Sequence, residues 1–172
     1  MPHHHKEATM AADYYLQLDG IKGESNDSKH QGWIECTSIN WSIHQPKSAT
    51  ASTGGGHTAE RAELREISIS KLVDLASPML AQLCACGKTI PKAKLEMQRA
   101  DGNGEPVKYF EVELENVLVA HIAPTFAGGD FPTEALGLKF SKVRWKYTQQ
   151  KIGGGSSGNT AGGWDLATNR IA

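Results

Sequence analysis

The chain has 172 residues and a formal net charge of −1, so it lacks the basic field that holds nucleic acid. No apolar run approaches the ~20 residues that span a bilayer, so membrane insertion is not expected. Cys36, Cys84 and Cys86 make an odd count, which excludes a complete disulfide framework.

Met1 to Thr9 (MPHHHKEAT) reads as an appended leader, and a natural-looking sequence opens at Met10 with no signal peptide after it. The expectation is one domain over residues 10–172, cytosolic by ordinary routes. About 160 residues suffice to bury roughly 70% of the unfolded surface. Ala12 to Ile21 alternates around Leu16 and Leu18 and breaks at Asp19-Gly20, which predicts a first strand. Gly32 to Gln45 (GWIECTSINWSIHQ) predicts a second. Thr37, Ile39, Trp41 and Ile43 form its core face, while Cys36, Ser38, Asn40 and Ser42 form a small polar face suited to water. Pro46 to Glu60 has no hydrophobic period and three consecutive glycines, so a long flexible loop is expected. Arg61 to Ser70 resumes a strand. Ala62 and Leu64 lie in one phase and Ile67 and Ile69 in the other, which implies a bulge near Arg65-Glu66.

Ser68 to Pro91 carries the one credible helix. Ser77 is a good N-cap, Pro78 suits the first helical position, and Gly87 suits a left-handed stop. Met79, Leu80, Leu83 and Cys84 follow at helical spacing. Lys92 to Ala100 then alternates, with Ala93, Leu95 and Met97 on one face and Lys94, Glu96 and Gln98 on the other. Asp101-Gly-Asn-Gly104 signals a hairpin. The return strand, Val107 to Ile122, starts with Phe110, Val112 and Leu114 inward and shifts to Val117 and Val119. Ala123 to Pro132 is a second glycine-containing loop. Thr133 to Gln149 is the last long strand, and its own phase slip implies another bulge. The tail from Ile152 opens with a flexible linker composition and ends in Trp164-Asp-Leu166, a short apolar anchor able to add an edge strand. One helix on slipping strands suggests a compact barrel or sandwich.

Catalytic and cofactor motifs are missing from this pattern. Gly54-Gly55-Gly56-His57-Thr58 lacks the Lys-Ser/Thr and helix start of a phosphate loop. Cys84 and Cys86 point about 160° apart on a helix and have no second ligand pair, so they read as free thiols rather than metal ligands. His121, Asp130 and Glu134 have no placed nucleophile to serve. Trp33, Trp41, Trp145 and Trp164 lack basic neighbours and read as core or interface anchors. No enzyme activity, cofactor or metal is expected.

Tyr15-Leu-Gln-Leu-Asp-Gly-Ile-Lys-Gly-Glu-Ser25, with Asp27 and His30, resembles the opening of the haemolysin-coregulated proteins (Hcp), the tube subunits of type VI secretion systems. Trp41 ending a strand, the Gly-rich loop, Ser70-Lys71, Asp74-Leu-Ala-Ser-Pro-Met-Leu80, Gly87-Lys88, the run from Glu134 and the tail with Trp164 continue the resemblance in order. It implies a mainly β fold: a β-barrel formed by two sheets with one flanking α-helix and long loops. It further implies that six subunits form a ring with a central lumen. The rings stack into a tube driven by a contractile sheath behind a spike, and effector proteins are held in the lumen. The protein would leave the bacterial cytoplasm through this apparatus without a signal peptide. On that basis Cys36, Ser38, Asn40 and Ser42 are expected to face the lumen. The loop with Ser48, Thr50, Ser52, Gly54, Gly55 and Gly56 is expected to bridge rings. The helix departs from the family in carrying Cys84 and Cys86, which opens a route to adventitious inter-ring disulfides after oxidation. The competing readings are a monomeric β-barrel that binds a small apolar ligand or carbohydrate, and a hydrolase delivered as a toxin.

Overall fold

The computed structural model describes residues 12–46, 61–151 and 153–172. In chain order its elements are β1 (Ala12–Leu18), β2 (Ile34–Cys36), β3 (Ser38–Asn40), β4 (Ile43–His44), β5 (Glu63–Leu64), β6 (Ile67–Leu72), α1 (Ser77–Cys86) and β7 (Ile90–Ala100). Then follow β8 (Pro106–Thr125), β9 (Thr133–Lys139), β10 (Lys142–Gln150), β11 (Ser156–Asp165) and β12 (Arg170–Ile171). The chain is mainly β with one helix among the described residues, as the alternation predicts.

The long strand β8 organises the architecture. Its first part pairs with β7 on one side and β10 on the other, while Leu118 to Thr125 pair with β9. Two antiparallel ladders therefore share it, β12-β11-β10-β8-β7-β1-β2 and β8-β9-β6-β3, with β4-β5 as a separate ribbon. The corner lies at Asn116, whose φ of 51° is left-handed and which donates from Nδ2 to Ser141 Oγ at 2.9 Å. That corner is the physical origin of the slip from Leu114 to Val117: both are buried, on either side of a turn in the strand. Among the described residues, neither ladder closes on itself by strand pairing.

Three predicted strands are divided. Residues 32–45 form β2, β3 and β4, because Thr37 carries the chain from the β1 side to β6, to whose Ser70 carbonyl its N–H donates at 2.8 Å. Residues 61–70 form β5 in the ribbon and the start of β6, so the slip at Arg65-Glu66 is a change of partner rather than a bulge. Residues 133–149 split at Phe140-Ser141 into β9 and β10 for the same reason. Register shifts occur instead at Met97/Gln98, Val119/His121 and, at the end of β10, Gln149/Gln150. The tail is not a linker in its described part: β11 pairs along β10 from Lys142 to Gln150. Ladder hydrogen bonds outweigh the weak strand preference of SSGNTAGG.

The core gathers Leu16, Leu18, Ile34, Leu95, Val112, Leu114, Ile67, Ile69, Leu136, Leu138 and Val143 from both ladders. Each such side chain contributes about 1.5–3 kcal/mol through burial. Helix α1 inserts Leu80 into it and leaves Met79 exposed. Pro78 stands in the first turn and Gly87 ends the helix at φ 66°, donating to the Leu83 carbonyl at 3.0 Å. Ser77 is not the N-cap. Ala76 holds that position without a side-chain cap, and the Ser77 hydroxyl serves another group.

Candidate functional site

Of the four residues expected on one polar face, Ser38, Asn40 and Ser42 are exposed, whereas Cys36 is buried. The crossing at Thr37 explains the difference: Cys36 pairs with Tyr14 and points with Ile34 into the core, and the phase changes before Ser38. Burial pushes the Cys36 thiol up to about 12, so it is no thiolate at neutral pH. Directly paired residues share a face, and this places Ser38 beside Ser70, Ala135 and Ala123 across four strands. Asn40 similarly lines up with Ser68, Gly137 and His121. The result is a surface of small side chains with its apolar partners, Ile39, Ile69 and Leu136, turned inward. Ser48, Thr50, Ser52, Gly54, Gly55 and Gly56 lie outside the described residues.

Alternation also drives charges inward. On β6, Ile67, Ile69 and Lys71 share the core phase, and on β9 Glu134 shares that of Leu136 and Leu138. Lys71 and Glu134 are register partners and both are buried. The Lys71 ammonium bonds Glu134 Oε1, Asp74 Oδ1 at 2.8 Å, the Leu72 carbonyl at 2.8 Å and Ser77 Oγ at 3.3 Å. The Ser77 hydroxyl donates to Glu134 at 2.7 Å and accepts from the Asp74 N–H at 2.9 Å. Asp74 Oδ1 also accepts from the Ala76 N–H at 3.0 Å. This network fixes the start of α1 to β6 and β9.

A second network surrounds His30, 2% exposed in the loop between β1 and β2. Nδ1 lies 2.6 Å from Asp27 Oδ1 and Nε2 lies 2.7 Å from Glu96 Oε2. Tyr15 stacks on the ring at 4.2 Å and Trp33 meets it edge-on at 4.8 Å. The hydrogen bond to His30 holds the Asp27 carboxyl below its usual range. Burial alone would raise Glu96, but bonds from His30, Lys108 and Lys94 outweigh it and lower its pKa. Tyr15 is pushed up to about 12 by burial and by Asp13, Asp27 and Glu35, so it stays neutral.

Neither network offers a free nucleophile. The Ser77 hydroxyl is fully engaged and Lys71 is held by carboxylates. His121 pairs with Glu66 at 3.2 Å across Gly137, while Glu134 is committed to Lys71, so these groups serve separate networks. Cys84 is half-buried and Cys86 exposed, both as free thiols. Among the described residues no cluster of His, Cys, Asp or Glu fits a metal ion, and no helix is long and apolar enough to cross a membrane. The roles of Lys71 and Glu134 were open to inference from the core phase of their strands. Glu96 gave no such sign, since it sits on the polar face of β7.

The surface presents Leu72, Leu75, Met79, Phe126 and Phe131 around the end of β6, α1 and the β8–β9 loop, and Ile171 on β12. Strand β11 pairs with β12 at Trp164 and Asp165, and the Ala172 N–H donates to the Gly163 carbonyl at 3.2 Å, which leaves the flank of Ser156 to Gly162 open among the described residues. These features define a mainly β domain with an open strand edge and an exposed apolar surface.

Comparison with known proteins gives that class its identity. Residues 15–147 match the family described as "Type VI secretion system effector, Hcp". Protein hcp1 of Pseudomonas aeruginosa is 33% identical over 162 residues, covering 93% of this chain and 98% of that protein. The solved structure of Hcp1 from Salmonella typhimurium superposes with a TM-score of 0.77 at 33% identity, covering 95% of this chain and all of that one. A structure described as a type six secretion system protein gives 0.87 at 28% identity, with 94% of this chain covered. The chain belongs to the Hcp family, the type VI secretion tube subunits.

Proposed function

We propose that this chain is a ring subunit. Six copies close a ring around a lumen, rings stack into the secretion tube, and effector proteins travel inside. It acts as structural carrier and chaperone rather than enzyme, works with sheath and spike proteins, and leaves the bacterial cytoplasm by the tube itself. The observation that carries the reading is the flank of β11 from Ser156 to Gly162, open among the described residues. A long exposed edge invites uncontrolled pairing, and a closed ring of head-to-tail contacts covers every such edge without leaving a fibre end.

A barrel is part of the same reading. Strands β2 and β3 are separated by Thr37 alone, and counting them as one strand completes a circuit through β6, β9, β8, β7 and β1. The small polar surface of Ser38 and Asn40, with Ser42 beyond it, is the lumen wall. Cys36 is withdrawn from it by its burial. Residues 47–60 leave β4 and return at β5, whose residues pair as Ile43 with Leu64 and His44 with Glu63. The pairing of β4 with β5 brings together the described residues on either side of that segment, and its Gly-rich, polar composition suits contact with the next ring.

Light scattering on the chromatographed full chain tests the reading: a six-subunit mass across the micromolar range is expected, and a monomer throughout favours the small-ligand barrel. An Asn40→Cys variant should cross-link to bound cargo, and labelling of closed rings from outside only would remove Asn40 from the lumen. Deleting Ala51 to Gly56 should leave rings intact while weakening tubes. Loss of the rings would overturn the stacking role.

A further inference from the structure

Both ring nitrogens of His30 face carboxylate oxygens at 2.6 and 2.7 Å. An ionised carboxylate only accepts, and a neutral imidazole has a single N–H. The two contacts are therefore both satisfied only when the ring carries two protons. The Gln98 amide, at 3.3 Å from Nε2, fits the charged ring once its oxygen is turned toward it, an orientation set by the network. A neutral ring with bare Nε2 would accept from Gln98 but oppose lone pairs against Glu96 at the shorter distance. Unlike an ammonium, an imidazolium gives up its proton within the range in which proteins work.

What the ring holds in place is the path into β2. The loop is tied by Gly23 N–H to the Gly32 carbonyl at 2.8 Å, Gly32 to Ser25 at 2.8 Å and Ser25 to Trp33 at 3.0 Å. It delivers only three residues, Ile34–Cys36, to a ladder with β1 before the crossing at Thr37. So short a strand has little pairing of its own, and its position depends on the loop.

We propose that His30 is a protonation-dependent latch, clamped as an imidazolium between Asp27 of its own loop and Glu96 of β7, that fixes β2 and the crossing at Thr37. Loss of one ring proton breaks the ring's bond to one carboxylate, leaving Asp27 only its backbone donors or Glu96 only its lysines, and frees β2, while the rest of the core, closed by uncharged side chains and by Lys71, stays folded. The other charged groups facing the site are Lys94 of β7, Lys108 and Glu111 of β8, and Asp13 and Glu35 flanking Tyr15. Lys108 and Lys94 bond Glu96 Oε1, the oxygen the ring does not contact, and help to hold that carboxylate ionised. Because β2 and β3 complete the circuit of the proposed barrel, opening the latch also weakens self-assembly; this second step rests on the ring reading.

The test is hydrogen exchange of the Ile34, Glu35, Cys36 and Thr37 amides in the full chain across pH, expressed as protection factors, beside nitrogen NMR of the His30 ring. Protection should fall about tenfold or more through the imidazolium-to-imidazole transition, the scale of one lost charged hydrogen bond. His30→Gln should remove that step, giving low protection at every pH, while His44 and His121 remain as controls. Glu96→Gln should move the ring transition to lower pH. A neutral His30 ring at a pH where these amides are fully protected would overturn the latch, as would a His30→Gln profile that keeps the wild-type step. Native mass spectrometry over the same range reads the second step. Amides that follow the ring proton while the oligomer does not would retain the latch and reject its link to assembly. A monomer at every pH would sink the ring reading and leave the exchange result standing.

Discussion

The two buried polar networks differ in what holds them. The Lys71 network lies on core-facing strand positions, and its cation is fully buried among Asp74, Ser77 and Glu134. The His30 network sits in a loop, roofed by Tyr15 and Trp33, with its charge shared toward the surface through Lys94 and Lys108. Burial without exit makes the first a permanent fastening of α1 to β6 and β9. The second reaches half-exposed lysines at Lys94 and Lys108, and the proposed latch makes it adjustable. The same chemistry of ion pairs therefore serves rigidity at one end of the chain's topology and positioning at the other.

The largest expected effect comes from breaking the first network. Lys71→Met strands the buried Glu134 and half-buried Asp74 carboxylates and should destabilise the fold by about 3–5 kcal/mol, read as a lower urea midpoint. Replacing Glu134 by Leu as well should recover a large part of this loss. Equal loss in single and double variants would mean the lysine acts by packing rather than charge. Gly23→Ala comes next. An added Cβ would lie 2.4 Å from the Trp33 carbonyl oxygen and 2.8 Å from Ile34 Cα, backbone that cannot turn aside. A cost of about 3 kcal/mol is expected, localised by exchange to residues 21–36.

Acid separates the networks without mutation. Asp27, Glu96 and Glu111 have folded pKa values held below their free values of 3.8, 4.5 and 4.5. The unfolded chain takes up protons first, so the stability these groups contribute is complete above the free values and is lost as pH falls through the folded ones. Urea midpoints should fall as pH drops below about 4, with the His30 loop losing exchange protection first. A drop that begins at α1 would reverse the comparison.

Gly137→Ala is the smallest of these changes. Its Cβ would meet His121 Nδ1 at 2.3 Å and Glu66 Cδ at 2.9 Å, but both are ends of partly exposed side chains that can swing away, giving up their mutual pair. About 1 kcal/mol is expected. A loss as large as that of Gly23→Ala would show that His121 is far more constrained than its exposure suggests.

Much of the fold was legible in period-two alternation. Leu16, Leu18, Leu95, Val112, Leu136 and Leu138 are all inward as read, and Asp101-Gly-Asn-Gly104 makes its hairpin with Asp101 Oδ1 accepting from the Asn103 and Glu105 N–H groups. Phase slips were visible but ambiguous, because a bulge and a change of partner look alike in one strand. Only the pairing partners separate them, as Thr37 and Phe140-Ser141 illustrate. That ambiguity misplaced Cys36. The tail failed for a different reason: Gly158, Gly162 and Gly163 have poor strand propensity, and β11 forms through its ladder with β10. Of the site, the family resemblance marked Asp27, His30, Lys71, Asp74 and Glu134 without their contacts. Glu96 is joined to His30 across 66 positions of sequence, a pairing that alternation does not encode.

The most direct measurement is native mass spectrometry of the full chain near neutral pH, with negative-stain images of the same sample. The account predicts a dominant six-subunit mass and ring-shaped particles with an open centre. A monomeric mass across the micromolar range, with no rings in the images, would contradict it.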